Sequence, residues 1–261
     1  MMRLPVMRFV TYDRGGARRL GAWVEGEVVD LPDAVGHPVF PTTLEALVAR
    51  NGGTTLDAAR HALERPGALA ECTVAEARLL TPLLPLDPAL PLLDPEAEVP
   101  WPESAEVLRP GPHLACVIGR RGRDVSVEKA ASMIFGYTLI NIWSAYGGRR
   151  RRFAESIGPS VVTAQEFDPS LAGLVCRVDG GVWSKGTVSR DAFAARIAEF
   201  SAAERGLRPG DLIIAPFGPP RGPRIGLTAA PGSVVEVEAE GIGVLRNRLG
   251  APRAVATPTS A

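Results

Sequence analysis

The chain has 261 residues, enough to bury a real core, and its 29 Lys and Arg balance its 29 Asp and Glu. Such neutrality argues against nucleic acid as the main partner, because phosphate binders carry a basic excess or stripe. No run approaches about 18 apolar residues, so no membrane span is expected.

The start, MMRLPVMRFVTYDRGG, lacks the apolar stretch of a signal peptide, so the expected location is the cytoplasm. Cys72, Cys116 and Cys176 are far apart in sequence and read as free thiols, not as a disulfide framework or a zinc site. Lysine occurs only at Lys129 and Lys185, an Arg preference that reads as GC-rich coding bias.

Residues 6–31 read as a β-meander: VMRFVTY, a turn at Arg14-Gly15-Gly16, LGAWVEG and EVVDLP. Helical spacing follows over Thr43–Ala49 and Thr55–Leu63, each segment opening on a Thr able to cap it. Between Thr81 and Pro112 the frequent prolines of LLPLDPALPLLDPEAEVPWPES exclude a helix or a central strand. The Leu and Trp101 content of that stretch predicts that it packs against something. LACVIG then reads as a buried strand, followed by a helix over Ser126–Phe135 and the strands GYTLINIW, PSVVTA and LVCRVDG, the last turning at Asp179-Gly180. A helix around Ala192–Ala203, the strand LIIAP and the alternating pair VEVEAEGIGVLRN, turning at Gly241, complete the pattern. The expected organisation is a small N-terminal α+β domain over 1–78, a proline-rich linker or wrap over 79–112, and a mainly β domain over 113–261.

Four phrases, LACVIGRRGRDVSVEKAASMIFGYTLIN, SIGPSVVTAQEF, RPGDLIIAPFG and PGSVVEVEAEGIGVLRNRL, together resemble the fumarylacetoacetate hydrolase superfamily over roughly residues 108–250. The resemblance implies an α+β, mainly β fold, a mixed β-sandwich roll with a small N-terminal domain, commonly a homodimer. It implies enzymes that make or break bonds beside carbonyls in oxo acids. It also implies Mg²⁺ or Mn²⁺ held by a Glu-x-Glu ahead of the VIG strand and an Asp after the GYT phrase, since hard cations need oxygen ligands. In that register Gly111 and His113 stand at the two Glu positions and Ile142 stands at the Asp position. Glycine and isoleucine offer no side-chain ligand, so neither a metal nor another cofactor is expected. The family's loop carrying a catalytic His and Glu has no counterpart in RLLTPLLPLDPAL. The family's lysine before Gly-Pro falls near Arg151 or Arg152, and its Gly-Thr-Pro turn is here Pro216-Phe217-Gly218.

These departures predict a pocket that has lost charge and gained Ile142, Trp143 and Phe217, the last two being substrate walls or else, as aromatics more often are, core residues. His113 is the first candidate acid or base, because its unperturbed pKa lies near neutrality; the alternative is a histidine facing solvent or a backbone carbonyl. Glu155 is a candidate base, or else a solvated loop carboxylate. Tyr146 is a candidate oxyanion donor, or a structural hydroxyl, and Asn141 and Ser144 flank the lost Asp with it. Arg151 and Arg152 belong to a run that is either a solvated face or a fork for a carboxylate or carbonyl oxygen. Lys185, in the VWSKGT turn, carries a similar substrate-binding reading. The expected function is a metal-independent enzyme that isomerises, eliminates or cyclises a largely apolar carbonyl or polyene, polyketide-type compound in secondary metabolism. A non-catalytic small-molecule-binding or partner subunit is the alternative from another class. A divergent metal-dependent dicarbonyl hydrolase or decarboxylase is the third and requires a different register.

Overall fold

Val, Phe and Trp runs separated by glycine turns build an antiparallel meander of β1 (Arg8–Arg14), β2 (Ala17–Val24) and β3 (Glu27–Asp30). The computed structural model describes residues 6–50, 52–65, 67–86, 89–103, 105–147, 149–215 and 229–252. Asp30 closes β3 and caps α1 (Leu31–Val35), accepting a hydrogen bond from the Asp33 N–H at 2.8 Å. The same carboxylate accepts from the Tyr12 hydroxyl at 2.5 Å, Arg14 at 2.7 Å and Arg19 Nε at 2.8 Å, although Asp30 is only 3% exposed. One acidic residue thus ties the meander to the first helix.

Thr43 caps α2 (Leu44–Arg50) as its sequence predicts, its hydroxyl accepting from the Ala46 N–H at 3.2 Å. The matching expectation for Thr55 is corrected. The next helix, α3 (Gly53–Glu64), starts two residues earlier, with Gly52 at its cap and Thr55 inside its first turn. After α4 (Ala68–Cys72), β4 (Thr73–Val74) and β5 (Leu79–Leu80), the proline-rich stretch contributes β6 (Leu92–Leu93), β7 (Glu98–Trp101) and β8 (Val107–Arg109). None of these three is a central strand of the main ladder, in keeping with their prolines: β7 is the edge of its sheet, and β6 and β8 flank the hairpin.

The second half begins with β9 (Pro112–Ile118) and α5 (Val127–Ala130), which passes through a 3₁₀ turn at Ala131–Met133. That helix is shorter than expected, because Ile134 and Phe135 already belong to β10 (Ile134–Gly147). β10 folds back as β11 (Arg149–Thr163), so the arginine run lies on a strand. Gly136 permits the pairing, since a Cβ there would meet the Val162 carbonyl oxygen at 2.2 Å. β12 (Leu174–Val178), β13 (Gly181–Gly186), α6 (Arg190–Ser201), β14 (Leu212–Ile214), β15 (Val234–Ala239) and β16 (Gly243–Pro252) follow.

Two sheets result among the described residues. The larger runs β14-β9-β10-β11-β1-β2-β3-β4, with β5, β6 and β8 attached at its sides, and the smaller runs β13-β12-β15-β16-β7. Because β1 pairs with β11, the larger sheet crosses residue 78 without a break. Tyr137, Leu139 and Trp143 of β10 meet Cys176 of β12, Val237 of β15 and Phe193 of α6 in the core between the sheets. The outer face of the larger sheet has two covers. Helices α1 and α2 lie over Phe9, Val117 and Val161, while Leu90 and Leu92 of the proline-rich stretch lie over Ile140, Ile142 and Ile157. The fold is therefore the mainly β, mixed sandwich roll that the sequence predicts.

Removing the Asp30 carboxylate leaves the buried Tyr12 hydroxyl without its acceptor and Arg19 with Asp33 alone. Asp30→Ala is expected to cost about 3 kcal/mol in urea denaturation at neutral pH. Burial pushes the Asp30 pKa up, but the hydrogen bonds from Arg19, Tyr12 and the Asp33 N–H outweigh it, and the net shift is downward from 3.8. This stabilisation is therefore complete above 3.8, and the gap between wild type and variant closes as pH falls through the lower native value.

Candidate functional site

Of the positions singled out by sequence, the outer face of β9, β10 and β11 gathers His113, Ile142 and Glu155. Cross-strand partners project to the same side of a sheet, and β10 places Ile140 opposite His113 of β9 and Ile142 opposite Glu155 of β11. Ala115, Ile140, Ile142 and Ile157 form an apolar floor, with Ile142 4% exposed. His113 and Glu155 are half-buried on either side of it. Strand spacing and rise put their Cα atoms roughly 12 Å apart.

Each polar group is held. The Gly111 N–H donates to Asn141 Oδ1 at 2.8 Å, and the Gly111 carbonyl accepts from the Ile142 N–H at 2.9 Å and lies 2.7 Å from His113 Nδ1. A carbonyl can only accept, so the proton of that last bond sits on Nδ1, and Nε2 is the acceptor of the neutral ring. The Glu155 N–H donates to the Pro91 carbonyl at 2.9 Å, and β6 runs parallel to β11 with Leu92 beside Glu155. The proline-rich stretch is thus strapped along the site. Burial raises the Glu155 pKa, offset in part by the charge of Arg152.

The other sequence-predicted residues divide. Asn141 is 1% exposed and clasps Gly111, so its role here is to hold the turn. The reading of Trp143 as a substrate wall is corrected. It is fully buried between the sheets, where its Nε1–H donates to Ser156 Oγ at 2.9 Å. Ser144 is buried opposite Arg152 and Arg109, and Tyr146 lies at the hairpin end with the Arg109 guanidinium 4.6 Å above its ring. Arg151 and Arg152 are exposed on β11, and only Arg152 acts on Glu155. Lys185 is exposed on β13, an edge strand of the other sheet, and is not part of this face. Phe217 lies outside the described residues. Sequence reasoning missed Leu90 and Leu92 as part of the site, although their apolar character within a proline-rich run signalled packing.

These residues do not fit the divalent metal that the resemblance implies. Gly111 and Ile142 carry no ligand atom in their side chains, and a single imidazole is a poor partner for a hard cation. A Cβ on Gly111 would lie 2.8 Å from the Ile142 carbonyl oxygen, so the backbone also excludes a longer side chain there. Among the described residues no three His, Cys, Asp or Glu side chains gather where they could hold a metal ion, and no helix is long and apolar enough to cross a membrane.

This two-sheet architecture is shared with solved structures. The fumarylacetoacetate hydrolase of Exiguobacterium antarcticum superposes with a TM-score of 0.70, covering 94% of this chain and 99% of that one at 22% identity. Residues 58–250 match the family described as fumarylacetoacetate (FAA) hydrolase C-terminal, and the chain belongs to that family. The match begins within α3, well before the region that the sequence phrases cover. An uncharacterized protein of Methanocaldococcus jannaschii is 35% identical over 145 residues, 51% of this chain and 58% of that protein's length. The human mitochondrial oxaloacetate tautomerase is 26% identical over 182 residues, 60% of this chain and 55% of the relative. Relatives with a named activity are enzymes, which supports a catalytic role for this chain.

Two outcomes test this geometry. Gly111→Glu is expected to lose roughly 2 kcal/mol to overpacking against backbone, measured by urea denaturation, and a stable variant would refute the close approach. For Glu155, a raised native pKa means that its contribution to stability is complete below 4.5 and is lost as pH rises past the native value. Glu155→Gln is therefore expected to melt above the wild type at neutral pH and level with it below 4.5, in melting curves taken across that range.

Proposed function

We propose that the protein is a metal-independent isomerase of a small, largely apolar carbonyl compound, acting on the outer face of β9–β11. The observation that carries this reading is the placement of Glu155 and His113 on either side of a floor of Ile140, Ile142 and Ala115. A carboxylate made more basic by burial suits removal of a proton from a carbon next to a carbonyl. The resulting enolate oxygen lies toward His113, whose neutral ring takes up a proton at Nε2 and then donates from it to that oxygen, while Nδ1 stays on the Gly111 carbonyl. Glu155, its proton exchanging with solvent, then returns one proton to a different carbon or to the oxygen, so no atoms are gained or lost. Similarity to a tautomerase supports this proton-transfer chemistry. Elimination or cyclisation of a polyene, polyketide-type substrate in secondary metabolism starts from the same step, and we place the enzyme in the cytoplasm as a homodimer.

Non-catalytic binding is the second reading, and the constriction at Gly111 supports it, since a Cβ there would meet the Ile142 carbonyl oxygen and no ligating side chain fits. Solvent-deuterium incorporation beside the carbonyl of unsaturated 2-oxo acids and ketones, followed by NMR with EDTA present, separates the readings. The wild type is expected to accelerate exchange, with Glu155→Gln slower by roughly 100-fold and His113→Gln by roughly 10-fold. Exchange that requires added Mg²⁺ or Mn²⁺, or that survives Glu155→Gln, contradicts the proposal. Binding without exchange supports the second reading.

A further inference from the structure

Most partly buried arginines of the chain have a carboxylate. Arg18 meets Glu45, Arg19 meets Asp30 and Asp33, Arg60 meets Glu166, and Arg177 meets Glu238. Arg8 is different. It lies on β1 where the meander joins β11, directly opposite Trp23 on β2, and is partly buried. Among the described residues its guanidinium makes no hydrogen bond and no ion pair, and burial alone acts on it, lowering its pKa. A desolvated cation without a partner costs stability unless something else supplies the charge.

Arg8 and Trp23 share a cleft of about 300 Å³ between the two sheets and the proline-rich stretch. That volume is at the small end of the range for ligand sites. Leu79, Pro95, Pro159 and Val244 give it apolar walls. The remaining charged groups that line it leave Arg8 uncompensated. Arg246 is held by Glu236 at 2.7 Å, and the Glu96 carboxylate is not within ion-pair distance of Arg8. The cleft shares no lining residue with the His113–Glu155 face.

We propose that this cleft is a second ligand site, for a small organic carboxylate with a flat apolar body. The guanidinium fork of Arg8 takes both carboxylate oxygens, and the Trp23 ring, with Pro95 and Pro159, holds the body. The site is independent of the reaction proposed above and stands whether or not that reaction is correct.

Isothermal titration of the full chain with benzoate and with benzamide, its uncharged counterpart, tests the proposal. Saturable benzoate binding at least roughly tenfold tighter than benzamide is expected, with a similar loss in Arg8→Gln, as for a hydrogen-bonded charge pair. Arg8→Gln removes an uncompensated charge, so its melting temperature without ligand is expected to match or exceed the wild type. Should it misfold, Arg8→Lys, which keeps the charge and loses the fork, is expected to bind severalfold more weakly. Glu155→Gln is expected to bind benzoate as the wild type does. The proposal is overturned by equal binding of benzoate and benzamide, by undiminished binding in Arg8→Gln, or by benzoate binding that depends on Glu155. Dissociation of a dimer by Arg8→Gln, seen in sedimentation, also overturns it, because Arg8 would then pair with a second copy of the chain.

Discussion

The antiparallel pairing of β10 with β11 is the constraint on which the rest of the structure depends. It runs from Gly136 opposite Thr163 to Gly147 opposite Arg149, and almost every layer rests on it. β9 and β14 extend it on one side and β1 to β4 on the other, while β12, β15 and α6 pack beneath it. The strand alternation of β10 assigns its residues to opposite tasks. Trp143 and Leu139 point into the core, and Ile140 and Ile142 point outward to form the site floor. A one-residue slip would exchange the two sets. The site's existence and the core's integrity are therefore one register.

That register explains how the face combines apolar and titratable groups. The strap bearing Leu90 and Leu92 shields the floor, and shielding raises the carboxyl pKa of Glu155. Gly111 serves the same arrangement from the other side. Its carbonyl orients His113 and receives the Ile142 N–H, which brings the turn so close to β10 that no side chain fits at position 111.

Much of this was legible in the sequence, and the failures have physical causes. The meander, the strand before Gly119, the alternating final pair and the family phrases are all local patterns, and the fold follows them. Of the positions where the family ligands stand, Ile142 shares the outer face with the cross-strand pair of Ile140 and His113, while Gly111 lies in the turn ahead of β9. Trp143 was misread because neighbouring residues of a strand lie on opposite faces, and a register taken from the family does not state which face each occupies. The arginine run was read as a charged segment because charge carries no information on pairing, and only the partner strand reveals it as a hairpin arm. The Thr55 cap failed because Gly52 and Gly53 allow α3 to begin earlier. The strap's position over the site is a long-range contact that local sequence cannot encode.

The central claim is that the outer face has changed from holding a metal to holding a proton. Thermal denaturation of the purified protein, titrated with Mg²⁺ and Mn²⁺ after treatment with EDTA, addresses it most directly. The account predicts no saturable rise in melting temperature, since Gly111, His113 and Ile142 offer one imidazole where three carboxylates are needed. A saturable, metal-specific rise of several degrees, abolished by Glu155→Gln, would contradict it and restore a metal-dependent reaction to this face.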